Sequence, residues 1–312
     1  MNVVETKNLT KFYGNERAVD KINFSIKKGE IFGLLGPNGA GKTTTVSMLS
    51  CLIKPTDGDA IICGYSILSK SLDVKKRIGV VPQDIALYPT LTAKENLIFW
   101  GQMYGFYGKD LKSRVDKVLE IVSLKDRQND LIKKYSGGMK RRINIAVGLL
   151  ASPELLILDE PTVGVDPQSR INILETLKNL NSNGLTILYT SHYMEEVEFL
   201  CKTIAIMDLG KIIALGSLNE LRILVGEKDK IIFSTINDIK EDIKYKISKI
   251  QEVDKINIFE KSLEVLTLQG RKILPEVTKI LWDEGIRVKS VEIKEPDLET
   301  LFLSLTGKTL RE

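Results

Sequence analysis

The chain has 312 residues, 43% of them hydrophobic and 28% charged, with a formal net charge of +4. That length and usage fit about two globular domains with a sizeable core and exclude disorder, collagen and coiled-coil rods; the charge excess is too small to argue for nucleic acid or an anionic membrane surface. The three cysteines, Cys51, Cys63 and Cys201, are odd in number and far apart, which fits a reducing compartment rather than a disulfide framework or a zinc spacing.

Taken in order, VVETKNLT and INFSI read as strands, and IFGLLG is a continuous apolar run entering a glycine-rich turn. A helix is expected from Lys42, with Val46 and Leu49 on one face. DAIICG and IGVVPQ are further strands, and residues 92–150 read as mainly helical. LLILDE is a buried strand, followed by a helix carrying Ile171, Leu174, Leu177 and Leu180, the strand LTILYT and a short helix from Tyr193. IAIMD and KIIALG flank Leu209–Gly210 as a hairpin. Strands alternating with helices predict an α/β fold with a mostly parallel sheet, into which residues 92–150 are inserted.

Near Gly226 the texture changes, since most of the 23 glycines precede it. The remainder reads strand (KIIFST), helix (Asp238–Ile250), strand (KINIFE), strand (LEVLTL), helix (Arg271–Trp282), strand (RVKSVEI), helix (Leu298–Leu305). That order predicts a ferredoxin-like β-α-β-β-α-β unit plus a terminal helix. Residues 1–225 and 226–312 are therefore expected as separate domains. Leu298, Leu301, Phe302 and Leu305 share a helical face, suited either to a dimer contact or to an intramolecular core.

No run reaches the ~18 apolar residues of a membrane helix. The richest stretch, Ile143–Leu158, is broken by Asn144, Ser152, Pro153 and Glu154. The opening MNVVETKNL has neither a basic n-region nor an apolar core, so no signal peptide is expected. The expectation is a soluble chain whose membrane role, if any, needs a separate spanning partner.

GPNGAGKT, Gly36–Thr43, satisfies G-x-x-x-x-G-K-[ST] between a strand and a helix start. Glycines let the backbone wrap a phosphate chain, inward N–H groups and the helix dipole favour the anion, Lys42 reaches the β/γ phosphates, and Thr43 offers a hydroxyl to Mg²⁺. LLILDE, Leu155–Glu160, ends an apolar strand in two carboxylates at the sheet edge where α/β proteins bind ligands. Asp159 is placed to hold Mg²⁺ through water and Glu160 to take a proton from attacking water; alone, the pair reads equally as a helix cap.

KYSGGMKRR, Lys134–Arg142, opens a helix whose exposed N–H groups at Ser136, Gly137 and Gly138 make a second anion site, or simply a capped start. One nucleotide rarely needs two separate phosphate sites in one chain, so this one suits a nucleotide held by another copy. His192, the only histidine, follows LTILYT and is either structural or a hydrogen-bond donor to a γ-phosphate. Gln83, after IGVVP, is a strand-end amide able to reach Mg²⁺ or water, or a plain surface residue. Tyr13 offers a ring to stack on adenine, or belongs to the core.

Together these elements resemble the ATPase subunit of an ABC transporter: GPNGAGKT is similar to its Walker A, VVPQ to the Q-loop, YSGGM to the signature, LLILDE to Walker B, VGVDP to the D-loop and TSH to the H-loop. The likeness covers residues 1 to about 225, in the family's order. EPDLETLFLSLTG is similar, less specifically, to the C-terminal extension of ATPases serving export-type transporters. Tyr135 and Met139 depart from LSGGQ, and Val165 from the usual D-loop leucine, while Ser136, Gly137, Gly138 and Asp166 remain.

The resemblance implies a P-loop NTPase with a mixed sheet and inserted helical subdomain. It implies ATP and Mg²⁺ as cofactors and ATP hydrolysis as the activity. Gly36, Pro37, Asn38, Gly39, Ala40, Gly41, Lys42, Thr43 and Thr44 would cradle the phosphates, with Tyr13 at the base. Thr43, Gln83 and Asp159 would hold the metal. Glu160, His192, Lys42 and Gln83 would carry catalysis, with Ser136, Gly137, Gly138 and Asp166 completing the site of a second copy. It further implies a head-to-tail homodimer, a transmembrane permease as partner, no nucleic acid, and a peripheral place on the cytoplasmic face of the membrane. The alternatives are a soluble ABC ATPase acting on ribosomes or DNA, and a non-hydrolysing regulator. The single cassette, the near-neutral charge and the intact Glu160 and His192 argue against them.

Overall fold

In a computed structural model, which describes residues 1–226 and 228–306, the chain divides into two units, the first spanning Met1–Ser217 and the second beginning at Leu218. The first runs β1 (Asn2–Tyr13), β2 (Glu16–Ile22), β3 (Ser25–Lys27), β4 (Ile31–Leu35), α1 (Lys42–Leu49), β5 (Asp57–Ile62), β6 (Tyr65–Ser66), α2 (Ser71–Lys75) and β7 (Ile78–Val81). It continues with α3 (Ala93–Met103), α4 (Gly108–Ile121), α5 (Gly137–Leu149), β8 (Leu155–Asp159), α6 (Pro167–Ser182), β9 (Thr186–Ser191), α7 (Met194–Leu200), β10 (Thr203–Asp208) and β11 (Lys211–Gly216).

The mixed sheet expected from the sequence resolves into two. The first five strands other than β4, with β6, form an antiparallel sheet ordered β2-β1-β5-β6, with β3 also on β1. The other is ordered β11-β10-β4-β9-β8-β7 and is parallel except for β11. Residues of both share one core, among them Val4, Ile62, Phe32, Leu188 and Ala205. Strands β4, β8 and β9 are buried along their whole length. They read as unbroken apolar runs because both faces of a parallel sheet are covered.

Register is what builds the site. Leu35 pairs with Ser191, and Asp159 with Thr190, so β4, β8 and β9 end at the same edge. The residues that follow (Gly36, Glu160 and His192) leave the sheet side by side. Helices α3, α4 and α5 pack on one another as the inserted helical part, and α5 also lies on β7 and α6. Thr92 and Glu95 close a capping box at the start of α3.

The second unit comprises α8 (Leu218–Val225), β12 (Asp229–Thr235), α9 (Asp242–Ile247), β13 (Val253–Phe259), β14 (Ser262–Thr267), α10 (Gly270–Asp283), β15 (Val288–Lys294) and α11 (Leu298–Thr306). Its sheet is antiparallel throughout, ordered β13-β14-β12-β15. With a helix after the first and third strands, this is the ferredoxin-like arrangement read from the sequence. Ile231, Phe233, Ile243, Ile247, Val265 and Val277 are among its core residues.

Four details differ from the sequence reading. The division falls at Ser217 rather than near Gly226, because α8 packs on α11 and Arg222 binds Glu295 and the Pro296 carbonyl. Helix α9 is shorter than 238–250, since the Ile239 amide is held by the Glu260 carbonyl. In α6, Ile173, Leu174 and Leu177 are buried and Ile171 faces solvent. Finally, Leu298, Leu301 and Phe302 are buried within the chain, which favours the intramolecular reading of that face over a dimer contact. Among the described residues no helix is long and apolar enough to cross a membrane.

Candidate functional site

The loop between β4 and α1 is shaped by contacts that exclude side chains. A Cβ on Gly36 would lie 2.3 Å from the Met207 carbonyl oxygen, and one on Gly41 would lie 2.5 Å from that of Ala18. Gly41 also has a φ of 104°, a conformation that glycine alone adopts without strain. The loop thus closes tightly enough to bury Lys42, which is 4% exposed. Its Nζ donates to the carbonyls of Gly36 (2.7 Å) and Pro37 (3.0 Å) and pairs with Glu160 Oε1 at 3.0 Å.

Glu160 is the hub. It is 4% exposed, and its φ of 45° is unusual for a residue with a side chain. The turn is held by its own amide, which donates to the Thr190 hydroxyl at 3.0 Å and to the Thr190 carbonyl at 3.2 Å. That conformation points the carboxylate at three partners: Lys42, His192 Nδ1 at 3.1 Å from Oε2, and the Gln83 amide donating over 3.5 Å. Asp159 is buried one residue earlier, and its Oδ1 accepts from Thr190 Oγ1 at 2.7 Å. Four residues singled out beyond the ends of separate strands, Lys42, Gln83, Glu160 and His192, therefore converge.

A cavity of about 690 Å³ opens over this cluster, within the range of ligand pockets. Tyr13, Asn38, Gly39, Gly41, Lys42, Thr43, Thr44, Gln83 and Glu160 line it. Tyr13 is 51% exposed, so it is not a core tyrosine. Gly36, Pro37 and Ala40 lie beneath, where the first two accept from Lys42 and the Ala40 carbonyl accepts from Gly210. Arg17, Glu16 and Leu209 also line the cavity but carry no motif, so the sequence did not mark them.

Ser136, Gly137, Gly138 and Asp166 do not line that cavity. Ser136 and Gly137 are exposed at the start of α5, where Ser136 Oγ accepts from the Met139 amide at 3.2 Å. Asp166 caps α6 by accepting from the Ser169 amide, and that bond holds its carboxyl below the usual range. Gly138 is buried with no room for a side chain, since a Cβ would come 2.3 Å from Ser169 Cβ. The two turns thus pack against each other, outside the cavity that Lys42 lines.

Two groups to which the sequence reading gave no role connect these parts. Arg141, buried on α5, donates to the Gln83 and Pro82 carbonyls and to the Val163 carbonyl. Thr190 holds both Asp159 and Glu160. Their only sequence signal is a polar residue on a face that should be apolar.

A phosphate-cradling loop opposite strand-end carboxylates defines a P-loop NTPase. Comparison with known proteins narrows this. The family described as ABC transporter matches residues 19–163. The chain is 48% identical to the linearmycin resistance ATP-binding protein LnrL of Bacillus subtilis (strain 168), over 99% of this chain and 100% of that one. It is 34% identical to the daunorubicin resistance ATP-binding protein DrrA2 of Streptomyces coeruleorubidus, over 97% and 95%. Among solved structures, an ATP-binding subunit of an ABC transporter aligns with a TM-score of 0.65 and 29% identity, covering 72% of this chain and 93% of that one. The ATP-binding cassette MJ0796, a post-hydrolysis dimer bound to ADP and Pi, aligns at 0.63 and 29%, over 69% and 98%. The chain belongs to the ABC transporter family, as an ATP-binding and ATP-hydrolysing subunit.

Proposed function

We propose that this subunit drives export of a drug- or antibiotic-like substrate through a separate transmembrane permease, acting as a homodimer on the cytoplasmic face of the membrane. The relatives' names support the export reading. The dimer rests on one observation: Lys42, Gln83 and Glu160 line one cavity, with His192 against Glu160, whereas Ser136 and Asp166 lie outside it at exposed helix starts. Helix N-termini bind anions, so the two surfaces together suit the two sides of a triphosphate, each supplied by one copy.

In this reading Lys42 leaves its carbonyl partners for the β/γ phosphates, and Tyr13 stacks on the base. Glu160, released from Lys42, accepts the proton of attacking water. An imidazole that donates from Nδ1 to Glu160 has a second donor at Nε2 only as the imidazolium. His192 therefore donates to a γ-phosphate either charged or after turning away from Glu160. The Thr43 hydroxyl, the Gln83 amide oxygen and the Asp159 carboxylate are all hard oxygen donors and fit Mg²⁺. No cluster of three or more His, Cys, Asp or Glu is placed for a metal among the described residues, so the phosphates would supply much of the coordination. When bound, the ion would neutralise charge on the phosphates.

The test is Glu160→Gln in the full chain. ATP binding is expected to persist, turnover to fall about 10²–10⁴-fold, and a stable dimer to appear by light scattering with ATP but not ADP. Near-normal turnover would remove Glu160 from the chemistry, and a monomer at saturating ATP would overturn the composite site.

A further inference from the structure

The geometry points to Glu196 as a positioning residue for hydrolysis, a buried carboxylate that braces both ends of the Glu160–His192 contact from behind the site. The inference rests on the reading that Glu160 and His192 serve hydrolysis. Glu196 belongs to α7 and is 2% exposed. Such a charge is costly to bury unless it is bonded, and its partners are specific. Oε2 accepts three hydroxyls: Thr162 Oγ1 at 2.8 Å, Tyr189 Oη at 2.7 Å and Ser191 Oγ at 2.9 Å. Oε1 faces Arg170 Nε of α6 at 3.4 Å.

These partners flank the reacting pair in sequence. Thr162 is two residues beyond Glu160. Ser191 precedes His192, and its oxygen also accepts from the Tyr193 amide at 2.9 Å. One hydroxyl thus ties the residues on either side of His192 together and anchors them on Glu196. Tyr193 is held a second time, with the Arg170 guanidinium 4.8 Å from its ring centroid. Arg170 in turn donates its amide to the Asp166 carbonyl. A single carboxylate therefore ties the turn after β8 to the end of β9 and faces Arg170 of α6. None of its contacts is with the nucleotide cavity, so it acts only through the residues it holds.

A misplacement near 1 Å costs about 10²-fold in a positioned reaction. Glu196→Gln keeps the shape, but a glutamine has one acceptor oxygen. If that oxygen takes the hydroxyls, its NH₂ faces the Arg170 guanidinium, donor against donor. Measured on the full chain, Glu196→Gln should lower kcat by about tenfold or more while the KM for MgATP stays within about twofold. Ser191→Ala, which deletes one hydroxyl, should do the same more weakly and decides the matter if the first variant does not fold. In a His192→Ala background Ser191→Ala should add less than about twofold, because the side of the contact it positions is already gone, while Glu196→Gln keeps only the part of its loss that passes through Thr162 to Glu160. Unchanged kcat with only a lowered unfolding midpoint, or a full further loss from Ser191→Ala beside His192→Ala, would overturn the inference. Glu160→Gln run alongside separates the two failures: if it too turns over normally, the hydrolysis reading itself has failed.

Discussion

The two units solve the same packing problem with opposite chemistry. Among the described residues, every buried charged side chain (Lys42, Arg141, Asp159, Glu160 and Glu196) lies in the first unit, whereas the second buries only Thr235 and Thr267 among polar residues. The second unit's core is largely isoleucine, from Ile231 to Ile286, and its charges are outside as pairs such as Lys228–Asp254 and Lys272–Glu252. Buried ions are poor stabilisers and are kept where placement of charge serves something else. The contrast accords with the proposed hydrolysis in the first unit, while the second unit's described residues bury no charged side chain.

Substitutions can break or sharpen that contrast. The largest effect is expected from Phe233→Ala, fully buried in the second unit. It should cost about 3–5 kcal/mol of that unit's stability in denaturant unfolding, yet leave kcat per folded molecule unchanged. A loss of kcat in the folded variant would mean that the second unit reaches the chemistry. Next is Lys42→Ala, which removes a buried ammonium and should weaken ATP binding by about 3 kcal/mol, roughly 10²-fold by calorimetry. Unchanged affinity would count against the phosphate cradle. Smallest is Lys246→Ala, which breaks a half-exposed pair with Glu284. It should leave the unfolding midpoint almost unchanged, and a clear shift would show that the second unit also depends on its charges.

Much of this was legible beforehand, for physical reasons. Glycines wedged against Met207 and Ala18 carbonyls leave a fixed spacing in the sequence, and strands buried on both faces leave unbroken apolar runs. What stayed hidden lacks such a signature. Strand β2, ERAVDKI, buries only Val19 and Ile22 fully, and its pairing with β1 shifts register twice, so its alternation is weak. Arg141 and Glu196 act through backbone carbonyls and hydroxyls that sequence distance scatters. Glu196 did leave a trace, standing four residues before buried Leu200 on the inner side of α7. An acidic residue in that register is a question the pattern alone raises but does not answer.

The left-handed backbone at Glu160 carries an implication for how this protein tolerates change. Holding a side-chain-bearing residue there costs about 1–3 kcal/mol, which only glycine, or in part asparagine, would recover. Selection for heat resistance alone would push residue 160 toward those two and, on the proposed role of Glu160, remove the group that takes the proton from water. On that role, a glutamate in this turn trades durability for work.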